Sequence, residues 1–215
     1  MTELPLLRPR TVALAPERAQ LVRRARLLAW GGNAWHVVEF AIAAGAGIAA
    51  SSIALVGFGF DSLIEASAGF VILWRFAAGR AHSERAERRA QQLIAASYFA
   101  LAAYVAIESL RTFVGGDHPQ TSWVGISLAA VTAPTMPLLA RAKQRVGRRL
   151  NSSATVSEGA QNMICAYLSI ALLVGLGANV FFGWWWADPA AALVIAGVAA
   201  REGVESWRGE SCDCC

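Results

Sequence analysis

The chain has 215 residues, 56% of them hydrophobic and only 16% charged, with a mean hydropathy of +0.44 and a formal net charge of +4. Soluble domains run at about 45–50% apolar and about 25% charged residues, so this composition excludes an ordinary water-soluble domain and points to the membrane class. A pI near 9.2 would suit a nucleic-acid binder, but the placement of the basic residues assigns them to membrane topology instead.

In chain order, residues 1–26 form a basic arm holding Arg8, Arg10, Arg18, Arg23, Arg24 and Arg26. The first apolar segment, about residues 27–50, is too long for the hydrophobic region of a cleaved signal peptide. Its "NAWHVVEF" sets His36 and Glu39 three residues apart, on one face of a helix. The pair belongs either to a cation site or proton path, since His exchanges protons near neutral pH, or to ordinary packing. A tight turn is expected in "AAGAGIAASS", followed by a second segment over about 52–74.

That second segment carries Asp61 and Glu65 one helical turn apart near its mid-depth. A carboxylate near a bilayer centre costs roughly 2.5–3.5 kcal/mol even on the mild insertion scale. Two oxygen ligands one turn apart can converge on a divalent ion. The alternative is an interhelical hydrogen-bonding pair that holds the bundle together. After the basic connection "RFAAGRAHSERAERRAQQ", the third segment covers about 92–113, with Glu108 placed to reach Arg111 as a structural pair near its end. The fourth covers about 122–140 and leads into a second basic connection, "RAKQRVGRRLNS".

The fifth segment, about 153–177, opens "SSATVSEGAQNMICAYLS". Glu158, Gln161 and Cys165 fall at i, i+3 and i+7, with Asn162 beside them, and a polar stripe on a membrane helix faces the protein interior or a cavity. Cys165 is either a thiolate ligand for a soft divalent ion or a small buried hydrophobe. "NVFFGWWWADP" places Trp184, Trp185 and Trp186 as an interfacial aromatic belt ahead of a sixth segment over about 188–204. Each segment is near the roughly 20 residues that a helix needs to cross a bilayer core. No Lys or Arg is expected inside a span away from its ends. The acids at 39, 61, 65 and 158 would then either stay protonated or line a wet cavity and bind a cation.

With six spans, 18 of the 19 Lys and Arg residues lie on one side, Arg111 being the exception, and the positive-inside rule makes that side the cytoplasm. Five or seven spans would break the pattern. The expected fold is therefore all-α: a polytopic membrane protein with a six-transmembrane-helix bundle over residues 27–207 and both termini cytoplasmic. A short Cys-rich tail, 208–215, completes the chain, with no appended soluble domain expected. In that tail Cys212, Cys214 and Cys215 would be reduced in the cytosol, and they form either a soft-metal cluster or a frayed end.

The second-helix D-x-x-x-E of Asp61 and Glu65 resembles the D-x-x-x-D or H-x-x-x-D element of cation diffusion facilitator transporters. "SSATVSEGAQNMICAYLSIALLVGLG" is similar to that family's fifth helix, and "FFGWWWADPAAALVIAGVAAREGVE" to its final loop and sixth helix. The resemblance covers roughly residues 25–208. It implies export of a divalent metal cation, most often Zn²⁺, in exchange for protons, by a homodimer working through alternating access. Carried over by position, the ligands are Asp61, Glu65, Gln161 and Cys165. Gln161 stands where the family has His, and Cys165 where it has Asp. His36, Glu39 or Glu158 would then serve as replacement ligands or in proton coupling. The family's usual cytoplasmic αβ domain is not seen after "REGVESWRGESCDCC", which looks like a transmembrane-only branch dimerising through its membrane helices.

The expected function is divalent-cation efflux across the cell membrane, with no prosthetic cofactor, no nucleic-acid partner and no enzymatic activity. The alternative is a non-transporting membrane scaffold or regulator whose metal site has degenerated.

Overall fold

The computed structural model describes residues 15–77, 84–115, 119–150 and 153–208. Among these the chain forms six helices: α1 (Ala15–Ala50), α2 (Ile53–Ala77), α3 (Glu84–Gly115), α4 (Trp123–Leu150), α5 (Ser153–Phe182) and α6 (Ala187–Arg208). No strand occurs among the described residues. The six apolar segments all appear in order, but the helices outrun them. α1 reaches back into the basic arm, α3 starts inside "SERAERRAQQ", and α4 continues through "RAKQRVGRRL". Those extensions are rich in Arg, Ala, Glu and Gln, all good helix formers, so polarity ends the apolar run without ending the helix. The tail cysteines Cys212, Cys214 and Cys215 lie outside the described residues.

The turns α1–α2, α3–α4 and α5–α6 gather at one end of the bundle, called here the hairpin end. The first described turn of α1, the last of α6, and the facing ends of α2, α3, α4 and α5 lie at the opposite end. The expected tight turn between α1 and α2 is present, with Ser51 at a φ of 53°. Ser52 then caps α2, its hydroxyl oxygen accepting from Leu55 N at 3.1 Å. The same hydroxyl donates to Asp188 Oδ1 at 2.5 Å. The other carboxylate oxygen of Asp188 accepts from Ile53 N at 3.1 Å and Ala54 N at 3.4 Å. The Asp of "WWWADP", in the first turn of α6, thus sits on the positive end of the α2 dipole. Two further bonds knit this end: Gln120 N donates to Ala50 O at 2.8 Å, and Asn179 Nδ2 to Pro119 O at 2.9 Å.

α1, α2, α4 and α5 form one four-helix group, while α3 lies along α6 and this pair leans on α2 and α5. Large buried side chains such as Leu55, Phe58, Tyr98, Met136, Leu172 and Ile195 fill the centre. Ala54, Ala129, Ala192, Ala196 and Ala199 are buried between helices, where small side chains let backbones approach closely. Ile48, Val114, Leu138, Val174 and Phe181 point outward and are well exposed, which a lipid surround accommodates. By length and composition, three helices among the described residues can cross a membrane: Gln92–Gly115, Trp123–Leu150 and Glu158–Phe182. The apolar stretch of α1 instead carries Asn33, His36 and Glu39. At the hairpin end Trp184 and Trp186 stack with centroids 5.4 Å apart, and Trp185 packs on Phe113 at 6.2 Å. Glu108 and Arg111 pair at 2.5 Å as expected.

Asp188→Ala is expected to destabilise the bundle by about 2 kcal/mol or more, since it removes a helix-end anion together with charged hydrogen bonds. Thermal unfolding in detergent, compared with Ser52→Ala, checks this. Ser52→Ala should cost less because the two backbone donors keep their carboxylate.

Candidate metal centre

Glu39 is the most deeply satisfied acid in the bundle. Wholly buried, it accepts from Thr132 Oγ1 of α4 at 2.5 Å through Oε1, and from Ser62 Oγ of α2 at 3.0 Å through Oε2. His36 Nδ1 lies 3.3 Å from the same Oε2, and Cys165 Sγ of α5 donates to it at 3.8 Å. One carboxylate therefore ties α1 to α2, α4 and α5. Thr132 stands where Pro134 and Pro137 remove two backbone donors from α4. There Thr135 Oγ1 donates to Val131 O at 2.7 Å and Thr132 O at 3.2 Å.

His36 links this hub to the second-helix acids. Asn162 Nδ2 donates to His36 Nε2 at 3.0 Å, which places the ring proton on Nδ1. That nitrogen faces Glu39 and also lies 3.3 Å from Glu65 Oε2. His36, Glu65 and Cys165 each offer a ligand atom, and these atoms all lie within 4.8 Å of one another in the buried interior. Three helices thus converge on one point: α1 supplies nitrogen, α2 oxygen and α5 sulfur.

Asp61 lies one turn earlier on α2, 3% exposed, with Oδ2 buried and accepting no hydrogen bond. Glu65 Oε2 likewise accepts none. Gln161 is half-buried and lines the cavity that His36 and Glu65 also line, whereas Asp61 stands outside the three-residue cluster. Of the residues singled out in the sequence, Glu65 and Cys165 meet across α2 and α5, and His36, read as accessory, completes the cluster.

The cavity beside the cluster offers about 10 Å³ to the centre of a water-sized sphere, room for roughly one water. His36 and Glu65 form one side, and Glu158, Gln161 and Lys143 another. Asn33 also lines it, held against α2 at Gly69, where a Cβ would collide with the Asn33 side chain.

Lys143, expected in the basic connection after the fourth segment, lies instead buried on α4. It is 3% exposed, and its Nζ is 3.4 Å from Glu158 Oε2. Because α4 stays helical beyond Ala140, position 143 continues the buried stripe of Thr132, Met136 and Ala140 and turns inward. A helical periodicity carried past the end of the apolar run would have found it. Ser62 and Thr132 offer no comparable signal, because hydroxyls on membrane helices usually satisfy themselves on the preceding turn.

A family model described as the cation efflux transmembrane domain matches residues 36–208. The magnetosome protein MamB of Magnetospira sp. (strain QH-2) is 32% identical over 119 residues, which cover 53% of this chain and 40% of that relative. The match therefore spans less than half of the relative's length. The family match begins at His36 and includes the whole candidate centre as well as the Asp188 clasp. Together with the apolar helices it makes the chain an integral membrane protein. The chain belongs to the cation diffusion facilitator family, its residues 36–208 forming that family's cation efflux transmembrane domain.

Proposed function

We propose that the protein moves a divalent metal cation, Zn²⁺ foremost, out of the cytosol across the cell membrane in exchange for protons. The observation that carries this reading is the convergence of His36, Glu65 and Cys165 from three helices within 4.8 Å. Nitrogen, carboxylate oxygen and thiolate together are the donor set of zinc sites, and a thiolate disfavours Mg²⁺ and Ca²⁺. A tetrahedral shell with ligand bonds of about 2.1 Å sets its donor atoms about 3.4 Å apart. The 3.3 Å between His36 Nδ1 and Glu65 Oε2 matches that edge. Asp61, one turn earlier on α2 and outside that cluster, would have to swing in as the fourth ligand, and Gln161 lines the adjoining cavity. His36 thereby stands in for the fifth-helix His that this chain lacks.

Metal at Nδ1 requires the ring proton to move to Nε2. Asn162 can follow it. Its Oδ1 is buried without a partner, and rotating the amide by half a turn would let that oxygen accept from Nε2–H. Asn162 would then hold the metal-bound imidazole through Nε2, as a partner outside the ligand shell commonly does, whereas Glu39 meets the ring only while Nδ1 carries the proton. Protons compete with metal for every ligand, so acid weakens binding. Filling Glu65, Asp61 and His36 with protons after the ion leaves would return the site to its starting state. Alternating access would be a rocking of the helices about this fixed point. The exposed apolar faces leave room for a homodimer through the membrane helices, and the basic end of the bundle would face the cytoplasm.

In vesicles with the basic end outward, Zn²⁺ or Co²⁺ uptake should rise when the lumen is made more acidic than the medium, and collapse when a protonophore removes the gradient. Gradient-independent uptake would exclude proton exchange. Asp61→Ala, Glu65→Gln and His36→Ala should each weaken metal binding by more than the roughly 10–100-fold typical of an outer-shell partner. Intact transport in Asp61→Ala would overturn the ligand assignment. A purified chain with its tail cysteines replaced that shows no saturable divalent binding would support the scaffold reading instead. Glu39→Ala should lower thermal stability by about 3 kcal/mol or more, because it strands buried donors and the His36 ring.

A further inference from the structure

The cavity beside the metal centre holds a charge that the transport cycle above does not use. Lys143 is the single lysine of a chain with 18 arginines, and it is buried rather than displayed at the basic surface. Its Nζ lies 3.4 Å from Glu158 Oε2. The second oxygen of Glu158, itself 6% exposed, is buried and has no hydrogen-bond partner. On the other side the ammonium sits against Gly32 of α1, where a Cβ would come within 2.8 Å of Nζ. α1, α4 and α5 together therefore build a recess for one positive charge, and the charge filling it is tethered.

The position of this recess matters as much as its chemistry. Glu158 precedes Cys165 by two helical turns on α5, about 10 Å along the axis, toward the end of the bundle opposite the hairpin turns. Gln161 lies one turn in between and lines the same cavity, which then opens onto His36 and Glu65. A cation approaching the metal centre from that end meets Glu158 first.

We infer that Glu158, with Gln161 beside it, forms an entrance station for the divalent cation, and that the Lys143 ammonium fills this station until a metal ion displaces it. A buried carboxylate without a cation carries a desolvation penalty of several kcal/mol, so the station is never left as a bare anion. An ammonium is a compact point charge on a flexible stem, able to withdraw without breaking a planar bidentate pair as arginine would have to. A divalent ion carries twice its charge and can also take up the free Glu158 oxygen. The metal centre is the destination under the transport reading, on which the direction of travel rests, but binding at the station does not depend on it.

The test is a Co²⁺ titration of the full chain carrying Cys212→Ser, Cys214→Ser and Cys215→Ser, with bound Co²⁺ counted by equilibrium dialysis. At Co²⁺ concentrations too low to displace the lysine in this parent, Lys143→Met should bind one more Co²⁺ per chain, and adding Glu158→Gln should abolish only that extra ion. If Lys143→Met does not yield monodisperse helical protein, Lys143→Gln keeps a donor of similar size without the charge and should behave alike. An unchanged count in the lysine variants, or an extra ion that survives Glu158→Gln, would overturn the inference. The transport reading is scored separately: Asp61→Ala with Glu65→Gln should remove the parent's own Co²⁺ while leaving the extra one. Should the parent bind none, the transport reading fails, and a rise from none to one in Lys143→Met still supports the station.

Discussion

A carboxylate taken out of water must be met by hydrogen-bond donors or by a cation, and inside a membrane bundle neither can be borrowed from solvent. This requirement sorts the acids of the bundle into two kinds. Asp188 and Glu39 are met by donors: a serine hydroxyl and two backbone amides for the first, two hydroxyls, an imidazole and a thiol for the second. Asp61, Glu65 and Glu158 each keep a buried oxygen that accepts no hydrogen bond. The first kind holds helices together. The second kind is where positive charge belongs, and for Glu158 the chain supplies that charge itself through Lys143.

The two structural acids also explain how the rest is positioned. Asp188 fastens α6 to the start of α2, which sets where along the bundle the following turns of α2, and hence Asp61 and Glu65, come to lie. Glu39 fastens α1 to α2 and α4 at the level of His36, which brings the imidazole against Glu65. Close approach elsewhere relies on small residues rather than on polar links, with alanines at the contacts of α2, α4 and α6. Polar ties are concentrated at the hairpin end and at the centre. The opposite end contributes the cavity and the Lys143–Glu158 pair.

Much of this was legible in the linear chain, for identifiable reasons. Six runs of about 20 apolar residues are hard to mistake because bilayer thickness sets their length. Asp61 and Glu65 stand out because acids within such runs are rare. Their helical spacing then puts them on one face without any tertiary information. The face shared by Glu158, Gln161 and Cys165 follows from the same rule. Lys143 was misplaced because hydropathy treats a basic residue as the end of a span, whereas the α4 helix continues and carries it inward. Asp188 was passed over because the tryptophans before it draw the eye to the membrane interface, and its partners are more than 130 residues away.

By itself the sequence determined the number and order of the helices, the accumulation of basic residues at one end, and which helix faces carry polar groups. These follow from periodicity and from the cost of placing charge in lipid, and both act locally along the chain. Only the tertiary structure decided which polar faces meet. It brought His36 of α1 to Glu65 and Cys165, made Glu39 a tie between helices, and turned Lys143 toward Glu158. Those choices depend on how far α1 and α4 rotate and slide against α2 and α5. Contacts made across 93 and 126 residues of chain set that rotation, so no local pattern can record it.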